Sequence, residues 1–219
     1  PRALSSGPLA KRAKTSNGRV VIYTDGSCLG NRQVSKEANP AGWGFVVVDA
    51  EEEQELHADS GPVLTQESDP GYLGAEYGSN NTGELSAVAQ ALEWARKNTS
   101  PGTDIVIKHD SMYARCMTDG TWSVKEERQG SKKRTANKRL VLTAKEMYAK
   151  TIGHGDRTVT FEHVDAHSGD FWNDRADTLA KRGASEASFA SSSANVRRGG
   201  SGGGAQAPGQ GLKAKSSTV

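Results

Sequence analysis

The sequence predicts an α/β protein with a mixed five-stranded sheet flanked by helices. Two observations predict this fold class. Three runs rich in β-branched, aromatic or alternating apolar residues fall within the first 60 residues, as is typical of an antiparallel meander. Beyond residue 80, helical and strand patterns alternate, which favours parallel strands packed against helices.

The predicted meander occupies residues 20–24, 43–48 and 54–60. The first run is β-branched and aromatic and ends at Asp25-Gly26, which is a strand-and-turn signal. In the third run, Leu56 and Ala58 alternate with polar residues. Residues 62–78 contain two prolines and several glycines, so they are predicted to form a loop longer than usual, and such loops are often functional.

The second half of the sheet is predicted from residue 80 onward. Apolar residues at helical spacing indicate a helix that begins after an N-cap at Thr82 and continues to Lys97. A buried-strand pattern follows at residues 104–110. Further along the chain, we predict a helix at 140–149, a strand at 158–164 and a final helix at 173–182.

The two ends of the chain differ in composition from its centre. Residues 1–18 carry basic side chains and no acid, and residues 185–219 are rich in Ala, Ser and Gly. Such segments bury too little apolar surface to offset the entropy of ordering, so we predict disorder at both ends and one domain at residues 19–184. The net charge of +2 therefore hides a net acidic centre, and some of the tail could be a linker within a longer polyprotein.

Several classes of protein are disfavoured by the sequence. It has no run of 18 apolar residues and no apolar segment near its N-terminus, so neither a membrane partner nor a secretory signal is expected. Cys28 and Cys116 form no CxxC pattern. Two free thiols in a reducing compartment are the preferred interpretation, with a single disulfide as the alternative. We expect an intracellular location, either nuclear or cytoplasmic. We also expect a monomer.

Four carboxylates stand at positions that favour metal binding. Asp25 and Asp110 lie at the ends of two apolar strands, where a carboxylate is costly to desolvate unless it is paired or binds a metal. These two acids converge if their strands are neighbours. Glu84 lies in the first turn of the first helix, and Asp177 lies in the last helix. An all-carboxylate set suits Mg²⁺, for which Mn²⁺ can substitute, and two such ions can hydrolyse a phosphodiester.

Each acid also has a purely structural interpretation. Asp25 could belong to an ordinary turn, and Glu84 could simply favour the positive end of the helix dipole. Asp110 with Ser111 could cap the following helix. Asp177 could be a solvated acid near Arg175 or Lys181. Spacing alone leaves these alternatives open.

Four longer strings, in the same order along the chain, resemble the motifs of type 1 ribonuclease H. The resemblance covers roughly residues 19–184. The strings are Tyr23-Thr24-Asp25-Gly26-Ser27-Cys28-Leu29-Gly30-Asn31, Ser79-Asn80-Asn81-Thr82-Gly83-Glu84-Leu85, Asp110-Ser111-Met112-Tyr113, and Val164-Asp165-Ala166-His167-Ser168-Gly169 followed by Asn173-Asp174-Arg175-Ala176-Asp177.

The resemblance implies a ribonuclease H-like fold and an endoribonuclease that cleaves the RNA strand of RNA–DNA hybrids with little sequence specificity. It implies that Asp25, Glu84, Asp110 and Asp177 bind two Mg²⁺ ions. It also implies that His167, on a loop, assists proton transfer or product release, which a histidine pKa near 6.5 makes plausible.

Substrate contacts are implied in the same way. An enzyme that distinguishes RNA from DNA must sense the 2′-hydroxyl, which A-like duplexes expose in a shallow minor groove. The residues implied to face that groove are Gly26, Ser27, Cys28, Asn31, Asn80, Asn81 and Glu84. Ser79 and Asn137 are candidates for contacts to a phosphate of the DNA strand.

Three features depart from the family pattern. Residues 32–41 form a longer polar insertion, and Met112 stands where a glutamine is common, so it hydrogen-bonds poorly in the groove. The region that is often a basic protrusion rich in Trp retains one aromatic residue. Its candidate duplex-gripping side chains are Trp122, Lys132, Lys133 and Arg134.

Two alternative functions remain at this point. One is another nuclease of the same fold, which the Asn80-Asn81 element and the His167 loop disfavour. The other is a non-catalytic domain of a retroelement polyprotein that binds or tethers hybrids. The presence of all four acids disfavours lost catalysis.

Overall fold

The computed structural model describes residues 18–30, 39–51, 53–124, 137–153, 155–165 and 169–199, with side chains described as far as residue 189. These residues form five strands and four helices. In chain order they are β1 (Arg19–Cys28), β2 (Ala41–Asp49), β3 (Glu55–Pro62), α1 (Asn80–Asn98), β4 (Asp104–His109), α2 (Met112–Asp119), α3 (Lys138–Ile152), β5 (Thr158–His163) and α4 (Phe171–Gly199).

The five strands form one sheet in the order β3-β2-β1-β4-β5. The first three strands are antiparallel neighbours, whereas β4 pairs parallel with both β1 and β5. The predicted mixed sheet is confirmed. Its central strand is β1, which has Val20 and Ile22 fully buried.

Helices cover both faces of the sheet. The larger hydrophobic core contains β-strand residues such as Ile22, Phe45 and Ile107 together with residues of α1 and α3 such as Leu92 and Leu140. On the opposite face, α4 packs against β2, β1 and β3. A smaller cluster of apolar residues, including Tyr23, Val46 and Leu179, fills that interface.

Glycines allow α4 to lie directly on the sheet. A Cβ atom added at Gly42 would lie 2.0 Å from the backbone nitrogen of Ala184. A Cβ atom at Gly183 would lie 2.2 Å from the carbonyl oxygen of Gly61. Because no side chain separates these backbones, α4 is held at a fixed height above β2 and β3.

Some helix boundaries differ from the predictions. The N-cap of α1 is Ser79, not Thr82, because the Ser79 side chain accepts the Thr82 backbone N–H and the Thr82 side chain accepts the Ser79 N–H. This reciprocal arrangement is a capping box, and it moves the start of the helix three residues earlier.

The last helix is also longer than predicted. It continues to Gly199, beyond the boundary at residue 184 and into the segment for which composition predicts disorder. Local features that favour the extension are the alanines at positions 184, 187, 190 and 194 and the pairing of Arg182 with Glu186 one turn later. Residues 1–17 and 200–219 lie outside the described residues.

The described part of the chain includes both cysteines and can be searched for membrane-spanning helices. Cys28 and Cys116 are both free thiols there, as the preferred interpretation expects. No helix among the described residues is long and apolar enough to cross a bilayer.

Candidate active site

Two parallel neighbouring strands bring the first two acids together. The pairing of β1 with β4 aligns Tyr23 with Lys108, so Asp25, inside β1, and Asp110, directly after β4, each follow two residues later. The strand end predicted at Asp25-Gly26 is wrong, because β1 continues to Cys28 in its pairing with β2. Side chains two residues apart share one face of a strand. The expectation that these strands are neighbours and that their acids converge is therefore confirmed.

The third acid comes from the first helix. Glu84 lies near the N-terminus of α1, which approaches β1 very closely at Gly26 and Gly83. A Cβ atom added at Gly26 would lie 2.0 Å from the Glu84 backbone nitrogen, so only glycine fits there. The capping box at Ser79 fixes where α1 begins and thus which residue faces the strand.

Asp25, Glu84 and Asp110 form a compact acidic cluster. One carboxylate oxygen from each lies within 4.8 Å of those of the other two. Asp25 and Glu84 are each only 8% exposed. Among the described residues, Oε2 of Glu84 is buried and has no hydrogen-bond partner.

The electrostatics of the cluster oppose full ionisation. Burial, followed by the charge of Asp110, raises the pKa of Asp25 to about 7. Burial, followed by the charges of Asp25 and Asp110, raises the pKa of Glu84 well above its usual value. Both causes act by disfavouring the charged carboxylate, and a bound cation would reverse them.

The donor set fits a hard divalent cation. All three side chains offer oxygen ligands, and the unpartnered Oε2 of Glu84 supplies a buried acceptor that needs a positive partner. Mg²⁺ and Mn²⁺ prefer such ligands, whereas softer metals prefer sulfur or imidazole. The cluster can therefore hold a metal ion.

Asp177 lines the same cleft but has a different partner. The cleft is about 280 Å³ in volume and is lined by Asp25, Gly26, Ser27, Cys28, Asn80, Glu84, Asp110, Asp177 and Lys181. Oδ2 of Asp177 lies 2.6 Å from Nζ of Lys181, one helical turn later. Arg175, the other basic neighbour considered from sequence, instead pairs with Glu55. Lys181 is thus a cleft residue that sequence reasoning treated only as a neighbour, although its i,i+4 spacing was a usable signal.

Several predicted substrate-binding residues lie at or near this cleft. Gly26, Ser27, Cys28 and Asn80 line it directly. Asn81 is exposed in the first turn of α1. Met112 is 43% exposed at the start of α2, immediately after Asp110 and Ser111. Ser111 caps α2, so the predicted capping role and the cleft position of Asp110 coexist.

The remaining predicted contacts are distributed differently. Trp122 is 45% exposed, and Lys145 of α3 donates to its carbonyl oxygen. Asn137 is buried, and its side-chain carbonyl accepts the Glu76 N–H at 2.8 Å. Asn31, His167, Lys132, Lys133 and Arg134 lie outside the described residues.

The fold and the site together define a class of protein. It is an α/β protein with a mixed sheet in which carboxylates from two adjacent parallel strands and the start of one helix form an acidic cleft.

Comparisons with known proteins identify the family within this class. The RNase H family model matches residues 17–185. The chain is 32% identical over 169 residues to a ribonuclease H of Rhodospirillum rubrum, covering 77% of this chain and 85% of that protein. It is 33% identical over 177 residues to a ribonuclease H of Phenylobacterium zucineum, covering 78% of this chain and 94% of that protein.

A solved structure supports the same fold. The N-terminal RNase H domain of a Mycobacterium tuberculosis protein, solved as a fusion with maltose-binding protein, aligns with a TM-score of 0.55 at 22% identity. That alignment covers 79% of this chain and 98% of the other. The chain belongs to the RNase H family, as the four sequence motifs predict.

Proposed function

We propose that this protein is a ribonuclease H that hydrolyses the RNA strand of RNA–DNA hybrids with two divalent cations. The observation that carries the proposal is the convergence of Asp25, Glu84 and Asp110 within 4.8 Å in a chain of the RNase H family. Mg²⁺ is the proposed ion, and Mn²⁺ is expected to substitute because it accepts the same oxygen ligands.

Each acid has a proposed role in metal binding. Asp25, Glu84 and Asp110 hold the first ion, and Asp177 is the further carboxylate for the second, since it lines the same cleft. When bound, the ions would activate the attacking water and stabilise the leaving oxygen. The protein contributes by fixing these carboxylates on rigid elements and burying two of them, so that little reorganisation is needed.

Residues beside the acids are proposed to select the hybrid. The main chain at Gly26, Ser27 and Cys28 borders the cleft together with Asn80, so polar groups are available to a ribose 2′-hydroxyl next to the metal site. Asn81 and Asn31 would extend this surface. Recognition through the hydroxyl and the groove shape predicts little dependence on base sequence.

Contacts further from the cleft are proposed for the nucleic-acid backbone. Asn137 uses its side-chain carbonyl to bind Glu76, which leaves its amide group as the hydrogen donor that a phosphate requires. Ser79, the N-cap of α1, follows Glu76 by three residues and is proposed for the same kind of contact. Trp122 with Lys132, Lys133 and Arg134 would grip the duplex, and Met112 would make an apolar contact in place of a hydrogen bond. His167 would assist proton transfer or product release.

The direct test is a panel of labelled duplexes. We expect RNA cleavage in an RNA–DNA hybrid with Mg²⁺, no cleavage with EDTA, and no cleavage of duplex DNA or duplex RNA. Cleavage of duplex DNA would favour another nuclease of the same fold. Tight hybrid binding without turnover in both Mg²⁺ and Mn²⁺ would favour a tethering domain and contradict the proposal.

A further inference from the structure

The ion pair between Lys181 and Asp177 lies inside the proposed metal cleft. Lys181 Nζ is 2.6 Å from Oδ2 of Asp177, and both residues line the cavity that contains the acidic cluster. Lys181 is the only basic residue among those described that line this cavity. Its ammonium is therefore the positive charge that neutralises Asp177 within this cavity.

The pair separates the four acids into two groups. Asp25, Glu84 and Asp110 form the compact cluster of the described residues, and Asp177 is not a member of it. A carboxylate that already holds an ammonium at 2.6 Å must release it, or share it, before it binds a metal ion.

We propose that Lys181 is an internal competitor for the second cation. Its ammonium neutralises Asp177 while the second ion is absent and must be displaced when that ion binds. The side chain of Lys181 is 59% exposed, so the displaced ammonium can turn into solvent on its flexible stem. The proposal rests on the two-cation function proposed above, and it predicts that the two ions bind with different affinities.

The size of the effect follows from the energetics of exposed ion pairs. Such a pair changes an equilibrium constant by at most a few-fold. An ammonium that faces further carboxylates changes it by a somewhat larger factor. Removing the ammonium should therefore increase the affinity for the second ion by roughly threefold to tenfold. The first ion is held by Asp25, Glu84 and Asp110, which do not pair with Lys181, so its affinity should change less than that of the second.

The test is a titration of the full chain with Mg²⁺ by calorimetry and with Mn²⁺ by electron paramagnetic resonance, comparing wild type with Lys181→Met. Arg182→Met is the matched control, because Arg182 is on the same helix and pairs with Glu186 in the same i,i+4 geometry outside the cleft lining. We expect the weaker binding event to tighten, or a second event to become visible, only in Lys181→Met.

Unchanged binding in Lys181→Met would overturn the proposal. An equal tightening in Arg182→Met would also overturn it, since a general loss of positive charge would then be the cause. If neither wild type nor Lys181→Met shows a second metal-binding step, the proposal is also overturned. Failure of the proposed function would look different: the wild type would not cleave a hybrid at any metal concentration.

Discussion

At the scale of single residues, the metal-free acidic cluster should destabilise the fold at neutral pH. The pKa of Asp25 is raised to about 7 in the folded protein and is close to 4 in an unfolded chain. Between these values the folded state binds more protons than the unfolded state. The stability associated with this group is therefore greatest below pH 4, falls as the pH rises, and is lost above pH 7.

This dependence of stability on pH gives a first prediction for Asp25→Asn. In EDTA at pH 8 the variant should exceed wild type in free energy of unfolding by about 1–3 kcal/mol, because a neutral amide removes the buried repulsion. Near pH 4 the two proteins should be equally stable. Denaturant unfolding at both pH values measures this. Glu146→Gln is the control, because Glu146 forms an exposed pair with Lys150 and should change stability by less than about 0.5 kcal/mol.

The acids also show why single residues are ambiguous in sequence. Ser111 caps α2 directly after Asp110, so the structural interpretation of that site describes a real local feature. The first-turn position expected for Glu84 is wrong, because α1 begins at Asn80 and its first turn contains no acid. The cluster became predictable only when four motifs in order were considered together. The i,i+4 spacing of Asp177 and Lys181 indicated their proximity but not that Lys181 lines the cleft, because such pairs are equally common on a fully solvated helix.

At the scale of elements, the site depends on the contact of α1 with β1. Gly26→Ala should displace α1, because the added Cβ would lie 2.0 Å from the Glu84 backbone nitrogen. We expect a loss of roughly 2–3 kcal/mol in stability, as for overpacking elsewhere, together with a large loss of Mg²⁺ affinity. Thermal unfolding and a metal titration measure the two effects.

Gly155→Ala is the comparison for that variant. Gly155 has a φ of +93°, and an added Cβ would meet no atom within 4 Å, so the substitution adds backbone strain without a clash. It should lower stability by about 1 kcal/mol and leave Mg²⁺ affinity unchanged. Equal metal affinity in Gly26→Ala and wild type would mean that the α1–β1 contact does not position Glu84.

The elements themselves were largely predictable, and their ends were less so. Strands with alternating or continuous apolar residues were assigned correctly because burial dictates the pattern. The start of α1 was wrong because Ser79 and Thr82 are both good N-cap residues, and only their reciprocal hydrogen bonds decide between them. The extension of α4 was missed because an Ala/Ser-rich composition is shared by disordered tails and helices.

At the scale of the whole molecule, metal binding should be linked to folding. A cation that binds only the folded state stabilises it by about 2.7 kcal/mol at 100 times its dissociation constant. We expect Mg²⁺ to raise the free energy of unfolding at pH 8 and to do so much less at pH 5. The reason is that the carboxyl group of Asp25, whose pKa is about 7, is protonated at the lower pH.

Denaturant unfolding with and without Mg²⁺ at the two pH values measures that linkage. The Asp110→Asn variant is the matched protein, because it lacks one carboxylate of the cluster and should gain little from Mg²⁺ at either pH. Equal stabilisation of wild type at both pH values would indicate that the ion binds elsewhere on the protein.

The central claim is that Asp25, Glu84 and Asp110 hold the ions that cleave RNA. Its most direct test is single-turnover cleavage of a hybrid with a labelled RNA strand, by wild type and Asp110→Asn, at equal and saturating protein and Mg²⁺. We predict that the variant still binds the hybrid but cleaves it at least about 1,000-fold more slowly, as expected when a group needed for transition-state stabilisation is removed. A variant that cleaves within tenfold of wild type would contradict the account.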